Sequence, residues 1–298
     1  MKKNKIMATV LAAIMALGTL SGCGNSSEDT ITIGSKQFTE SILLSEMLSQ
    51  LVEAKTDLKV ERKYNLGATS IIFPALEKGE VDCYVEYTGT AYYDALQNTE
   101  KISTEEIDTA IDEQLAEKGI AVLDHLGLNN TFALGCRKTL AEELNIETLT
   151  DLAGVSDQLV LGINHTDYAD ETGGYHDLVA AFGYNFADVV VMDTSLLYEG
   201  IANDELDVIM VYATDGTLST LDMVTLKDDT GFFDPYYAVP LVRQEVIDMH
   251  PELEGILNSL TGLLDDATMQ SLNSKVDDEQ LTEEEVAKTF LQEKGLID

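Results

Sequence analysis

The chain has 298 residues, with 54 acidic against 18 basic side chains and a formal net charge of −36 at pH 7. Gripping a nucleic-acid backbone needs clustered Lys and Arg, so a chain this acidic is excluded as a nucleic-acid binder. Its summed field favours a cationic ligand but decays over roughly 8 Å at physiological salt, so solubility of an exported protein explains the charge equally well.

The first residues read as an export signal. Lys2, Lys3 and Lys5 precede an apolar run from Ile6 to Leu20, too short to span a bilayer, and then Ser21, Gly22 and Cys23. The sequence "LSGC" resembles the lipobox of bacterial lipoproteins, which makes 1–22 the signal, Cys23 the lipidated residue and 23–29 a tether. An ordinary signal peptide cleaved nearby is the alternative. Asn25 to Asp29 carries no apolar residue and suits a flexible connection. No later apolar run reaches spanning length, so the expected location is outside the cell, anchored to the outer face of the membrane.

From Thr30 onward, short β-rich runs alternate with helical patterns, the signature of α/β units around mainly parallel sheets. "ITIG" reads as a strand. "TESILLSEMLSQLVEA" spaces Leu44, Met47, Leu48, Leu51 and Val52 as one helix face, with Thr39 as its N-cap. "LKVERKY" is a strand, "SIIFPALEKG" a helix ending on Gly79, and "EVDCYVEYTGT" (Glu80 to Thr90) contains the next strand. A helix over about Thr104 to Lys118 and the strand "IAVLD" follow, then "NNTFALGCR" as a crossing segment. "LVLGIN", "ADVVVMD" and "LDVIMVY" give three more strands, with helices near Gly174 to Phe182 and Ser195 to Asn203. Beyond "FFDPYYAVPLVR" the pattern is helical to the end. Cys83 and Cys136 lie in apolar runs and are expected as buried free thiols.

One stretch occurs twice. "EVDCYVEYTGT" returns as "ELDVIMVYATDGT" (Glu205 to Thr217), each placing a Glu and an Asp two apart before an apolar run that ends on Tyr87 or Tyr212. Ligands of open α/β sheets sit beyond the carboxyl ends of strands, so the two tyrosines are candidate walls of a shared cleft; a recurring helix-turn-strand idiom with core aromatics is the plainer reading.

Catalytic and metal chemistry finds little support. His165, Asp167, Asp170 and His176 cluster in sequence without HExxH, paired CxxC or EF-hand spacing, and no phosphate loop, dinucleotide fingerprint or GxSxG elbow occurs. The pairs Asp228, Asp229 and Asp265, Asp266 suit turns or helix starts. No metal, cofactor or catalytic residue is therefore assigned.

The ordered motifs "IGSKQFTES" (Ile33 to Ser41), "YVEYTGT", "NNTFAL", "YATDGTL" and "DPYYAVPLVR" resemble the quaternary-ammonium (glycine betaine, choline, carnitine) substrate-binding proteins of osmoprotectant ABC importers. The resemblance covers essentially the whole mature chain. It implies a two-lobed periplasmic-binding-protein-like fold of type II, with two crossovers near Thr131 and Phe233. Lobe one would comprise 30–131 and 233–298 and lobe two 132–232, with a ligand trapped between them by hinge closure. Partners would be a quaternary-ammonium ligand, a permease and, through it, an ATPase.

By motif position the trimethylammonium cage is Tyr87, Phe132, Tyr212 and Tyr236, with Tyr87 and Tyr212 meeting only on closure. Phe132 stands where the family often has Tyr, and keeps the π-face. Such a head has no N–H to donate and suits aromatic faces, worth roughly 0.5 to 2 kcal/mol each. Trp is absent, so a tryptophan cage is excluded. Lys36 and Thr90 would face the ligand's polar tail, beside a helix N-terminus that favours an anion. Where many members carry Arg-x-Asp-Gly, this chain has "NHTDYADETGGYHDL" without arginine, which shifts the expectation toward choline or an unusual betaine. Another small zwitterion, such as a histidine-type betaine or an amino acid, and an exported enzyme acting on a small cation are the alternatives.

Overall fold

Apolar residues at a period of two in short runs, and at helical spacing between them, sort the chain into strands covered by helices on both faces. The computed structural model describes residues 30–169 and 174–298. The signal, Cys23 and the tether, together with Asp170 of the acidic segment, lie outside the described residues. Ile31–Asp298 forms one compact unit.

In chain order β1 (Thr30–Gly34), α1 (Thr39–Lys55), β2 (Lys59–Lys63), α2 (Thr69–Glu77) and β3 (Cys83–Tyr87) come first. Then follow α3 (Thr88–Thr90), which runs into a π-helical turn over Ala91–Ala95, α4 (Thr104–Ala116) and β4 (Ile120–Val122). The next block is β5 (Phe132–Arg137), α5 (Lys138–Leu144), α6 (Leu149–Ala153), β6 (Val160–Ile163), α7 (His165–Ala169) and α8 (Tyr175–Phe182). It continues with β7 (Asp188–Val191), α9 (Thr194–Ala202), β8 (Val208–Tyr212), α10 (Gly216–Thr220) and β9 (Met223–Thr225). The chain closes with β10 (Ala238–Arg243), α11 (Gln244–Met249), α12 (Glu252–Leu257), α13 (Asp266–Asp277) and α14 (Glu283–Glu293).

Two five-stranded sheets result, ordered β2-β1-β3-β10-β4 and β7-β6-β8-β5-β9. The chain passes between them twice, from β4 to β5 and from β9 to β10. The sheets are mixed rather than mainly parallel: β1 runs parallel to β3 and β6 to β8, whereas β10 and β5 lie antiparallel to β3 and β8. The strand that follows each crossing comes back from the other sheet, so it enters at the opposite end.

Each sheet has a core on either face. On the first, Ile33, Cys83 and Val85 pack against α1, α12, α13 and α14, while Tyr84, Val239 and Leu241 meet α2 and α4. On the second, Leu134, Leu161 and Met210 meet α5, α6 and α8, while Ala133, Ile209 and Val211 meet α9 and α10. Cys83 and Cys136 are buried free thiols, and burial pushes the Cys136 thiol up to about 11.

The two sheets also share their construction. Gly79 and Asp204, both at positive φ, immediately precede the two related stretches. The Asp82 carboxylate accepts from the Thr32 N–H on β1 at 2.8 Å, and the Asp207 carboxylate from the Val160 N–H on β6 at 2.9 Å. Arg243, ending β10, donates to Asp82, and Arg137, ending β5, donates to Asp207. The Asp of each Glu-x-Asp motif is thus a clamp at the far end of its strand, and repetition of the motif follows from repetition of the strand order.

Candidate functional site

Tyr87 and Tyr212 are the last residues of β3 and β8, one from each sheet, and both strands end at one cavity of about 510 Å³. All six expected ligand residues, Lys36, Tyr87, Thr90, Phe132, Tyr212 and Tyr236, line it. So do Phe38, Thr39, Glu40, Asn130, Thr214, Asp215, Gly216, Asn273 and Asp277. The first group of elements and both crossings contribute to the same space.

The rings differ in setting. Phe132 and Tyr212 face each other across the β5–β8 register and stack with centroids 4.8 Å apart. Tyr212 is 48 % exposed, open to an incoming ligand. Tyr87 is buried, stacked on Phe38 at 6.2 Å, with its hydroxyl donating to the Glu40 carboxylate at 2.6 Å. Among the described residues no ring contact joins Tyr87 to Tyr212. Tyr236 is half-buried and held by its N–H donating to Asn129 Oδ1 at 2.7 Å. Burial pushes the Tyr236 phenol up to about 12 and raises Tyr87 and Tyr212 as well, so all three remain neutral rings.

The glycines of the motifs have steric reasons. A Cβ on Gly89, in "YTGT", would lie 2.7 Å from Cε1 of Tyr236 and from the Pro235 carbonyl oxygen. A side chain there would expel the ring from the site. A Cβ on Gly216, in "YATDGTL", would lie 2.6 Å from the Ser274 nitrogen, where α10 meets α13.

Lys36 lies where expected but is not a free cation. Its ammonium donates to the fully buried Glu86, and sits 4.5 Å from the Tyr87 ring centroid and 5.5 Å from that of Phe38. Glu86 also accepts from the Thr69 hydroxyl at 2.9 Å, the Tyr84 hydroxyl at 3.1 Å and the Tyr87 N–H at 2.9 Å. Thr39, expected as an N-cap, is instead the first helical residue; Phe38 occupies the cap, and the Thr39 hydroxyl donates to Asp277 at 2.6 Å. The α1 terminus therefore reaches the cavity without a side-chain cap.

Three carboxylates, Glu40, Asp215 and Asp277, lie on the remaining wall. Burial raises the Glu40 and Asp215 carboxyls above their ordinary values, against hydrogen bonds that lower them; Asp215 accepts from Tyr198 at 2.5 Å and from the Tyr212 N–H at 3.3 Å. A second cavity of about 340 Å³ adjoins the first through Phe132, Tyr212 and Asp215, and reaches His165, Asp167 and Asp193. His165 and Asp167 belong to the segment without arginine. Among the described residues no group of His, Cys, Asp or Glu could hold a metal ion. The acidic pairs act structurally, with Asp265 capping α13 and Asp228 accepting from the Thr230 and Phe233 N–H groups.

Sequence reasoning did not assign Glu40, Asn130 and Asp215, although they lie inside quoted motifs. Asn273 and Asp277 carried no signal, because α13 reaches the cavity only through tertiary packing.

The arrangement, with two sheets, two crossings and a cavity at strand ends, recurs in known proteins. A family model described as the substrate-binding domain of the ABC-type glycine betaine transport system matches residues 29–293. The carnitine transport binding protein OpuCC of Listeria monocytogenes is 33% identical over 282 residues, covering 94% of this chain and 92% of that protein. The ergothioneine transport permease/ergothioneine binding protein EgtU of Helicobacter pylori is 34% identical over 272 residues, covering 90% of this chain but only 48% of that protein. A crystal structure of a glycine betaine/carnitine/choline ABC transporter superposes with a TM-score of 0.85 at 30% identity, over 90% of this chain and 100% of that one. The chain therefore belongs to the family of substrate-binding domains of ABC-type glycine betaine transport systems, and is a binding component that serves a permease and its ATPase from outside the membrane, not an enzyme.

Proposed function

We propose that the protein captures a quaternary-ammonium compound, such as choline, glycine betaine, carnitine or a related betaine, and delivers it to its permease. The head would lie among Tyr87, Phe132, Tyr212 and Tyr236, with Lys36 and Thr90 toward the tail. The observation that carries this reading is that four neutral aromatic rings, drawn from both sheets and the second crossing, line one cavity that also carries three carboxylates. Aromatic faces attract a methylated cation without demanding a hydrogen bond it cannot give. Lobe one would be 30–131 with 233–298 and lobe two 132–232, closing as rigid bodies on the ligand. Glu86 already neutralises Lys36, so the tail meets an ion pair rather than a bare cation. This ranks a hydroxyl tail, as in choline, ahead of a carboxylate.

Titration calorimetry with choline, glycine betaine, carnitine and ergothioneine tests the proposal. Binding of at least one, with a primary-amine analogue much weaker, is expected; failure of all four at millimolar ligand would refute it. A second reading, a histidine-type betaine, is favoured by the adjoining cavity, which leaves room for a ring beyond the cage. Preference for ergothioneine over choline would select it.

We also propose that Cys23 is lipidated and that 23–29 tethers the body to the membrane. Cys23→Ser should release the protein from the membrane fraction; an unchanged distribution would exclude the anchor.

A further inference from the structure

Glu40, in the first turn of α1, is almost fully buried and gathers donors from three side chains. Oε1 accepts from the Tyr87 hydroxyl at 2.6 Å and from Asn130 Nδ2 at 3.0 Å, and Oε2 accepts from Asn273 Nδ2 at 3.0 Å. The amide oxygens of Asn130 and Asn273 are buried and, among the described residues, have no donor. Both amides thus turn their N–H groups toward the carboxylate, an arrangement that suits an ionised, acceptor-only group. Asn273 Nδ2 also donates to the Thr214 carbonyl at 2.9 Å, in the segment that follows β8. One carboxylate therefore ties the ring of Tyr87 to the first crossing and, through α13, to the other sheet.

We infer that Glu40 is a positioning residue of the ligand site that acts through Tyr87, an inference that rests on the aromatic-cage reading. A phenol donating to a carboxylate at this separation makes a charge-assisted hydrogen bond. That bond fixes the ring plane and pushes electron density into the ring, strengthening its attraction for a cation. Lys36, 4.5 Å over the same ring, responds to the same density. The Asn273 link makes the ring's position depend on how α13 seats the segment after Tyr212.

The test is a double-mutant cycle with Glu40→Gln, Tyr87→Phe and the pair. Its two ligands are choline and the neutral isostere in which carbon replaces the quaternary nitrogen. Glu40→Gln should weaken choline by about three- to tenfold more than the isostere, within the roughly two- to thirtyfold span of one cation–π contact. The loss should largely vanish in the Tyr87→Phe background, which has no hydroxyl to hold. Equal losses for both ligands, or additive effects of the two substitutions, would overturn the inference and leave Glu40 a structural or directly electrostatic group. If wild-type protein binds no quaternary ammonium, the cage reading itself fails and this inference with it. That outcome is distinguishable because it appears before any substitution is made.

Discussion

Gly216→Ala probes the joint between the two halves of the site. The added Cβ would lie 2.6 Å from the Ser274 nitrogen and 2.9 Å from Asn273 C and Ser274 Cα. All three are backbone atoms of α13 and cannot rotate away, so α10 must back off by nearly an ångström to regain ordinary contact. That movement strains the Gln270 amide bond to the Ala213 carbonyl at 2.7 Å and the Asn273 bond to the Thr214 carbonyl. Overpacking of this kind costs about 1–3 kcal/mol. For a chain of this size each kcal/mol lowers Tm by about 2–4 °C. Thermal unfolding should show that drop, and calorimetry with choline should show weaker binding, because Thr214 and Asn273 line the cavity. Gly255→Ala is the control: it sits in α12 with nothing within 4 Å of its Cβ, so helix propensity alone should stabilise it by up to about 1 kcal/mol. Wild-type melting and wild-type affinity in Gly216→Ala would refute the close α10–α13 contact.

Three further outcomes follow from the same geometry. Tyr212→Ala should cost choline affinity by about tenfold or more, the loss of a cation–π wall, while changing Tm little because the ring is half exposed; equal loss of fold and affinity would contradict this. Arg137→Ala should destabilise by about 1–3 kcal/mol, because it removes bonds to the Ile201 and Leu206 carbonyls and to Asp207, yet leave affinity unchanged at the far end of β5 from Phe132. Calorimetry and urea unfolding separate the two effects. Finally, pH should move affinity and stability in opposite directions. Burial raises the folded-state values of Glu40 and Asp215, so on acidification from neutral pH the folded form takes up these protons before the unfolded form does. Their contribution to stability is full below the unfolded values and lost as pH rises through the folded ones, whereas choline affinity falls as the carboxylates lose charge; affinity that is flat down to the ordinary aspartate range would refute it.

Much of the fold was legible locally. The strands from "ITIG" to "LDVIMVY" and the long helices between them appear within a few residues of their expected positions, because period-two and helical patterns encode burial directly, whereas β5 in the expected crossing segment, β9 and β10 were not foreseen as strands. Three local readings needed correction. The last strand of each crossing turned the sheets mixed, the α1 cap moved from Thr39 to Phe38, and the C-terminal helical stretch broke at Thr261 to Asp265 between α12 and α13. Gly262, at positive φ within that break, marks the turn.

The site divides along the same line. Tyr87 and Tyr212 could be chosen because each ends an expected strand, where strand polarity decides which way a residue is presented, whereas Phe132 and Tyr236 came only from the family resemblance of their motifs. The sequence by itself determined the α/β alternation and the repeated stretch that ends each copy on a tyrosine. Tertiary structure alone decided that Lys36 is neutralised by Glu86, 50 residues away, and that Glu40 gathers donors from Tyr87, Asn130 and Asn273. Local pattern records whether a side chain is buried; which charge it meets there depends on how distant helices pack, and burial makes that pairing obligatory.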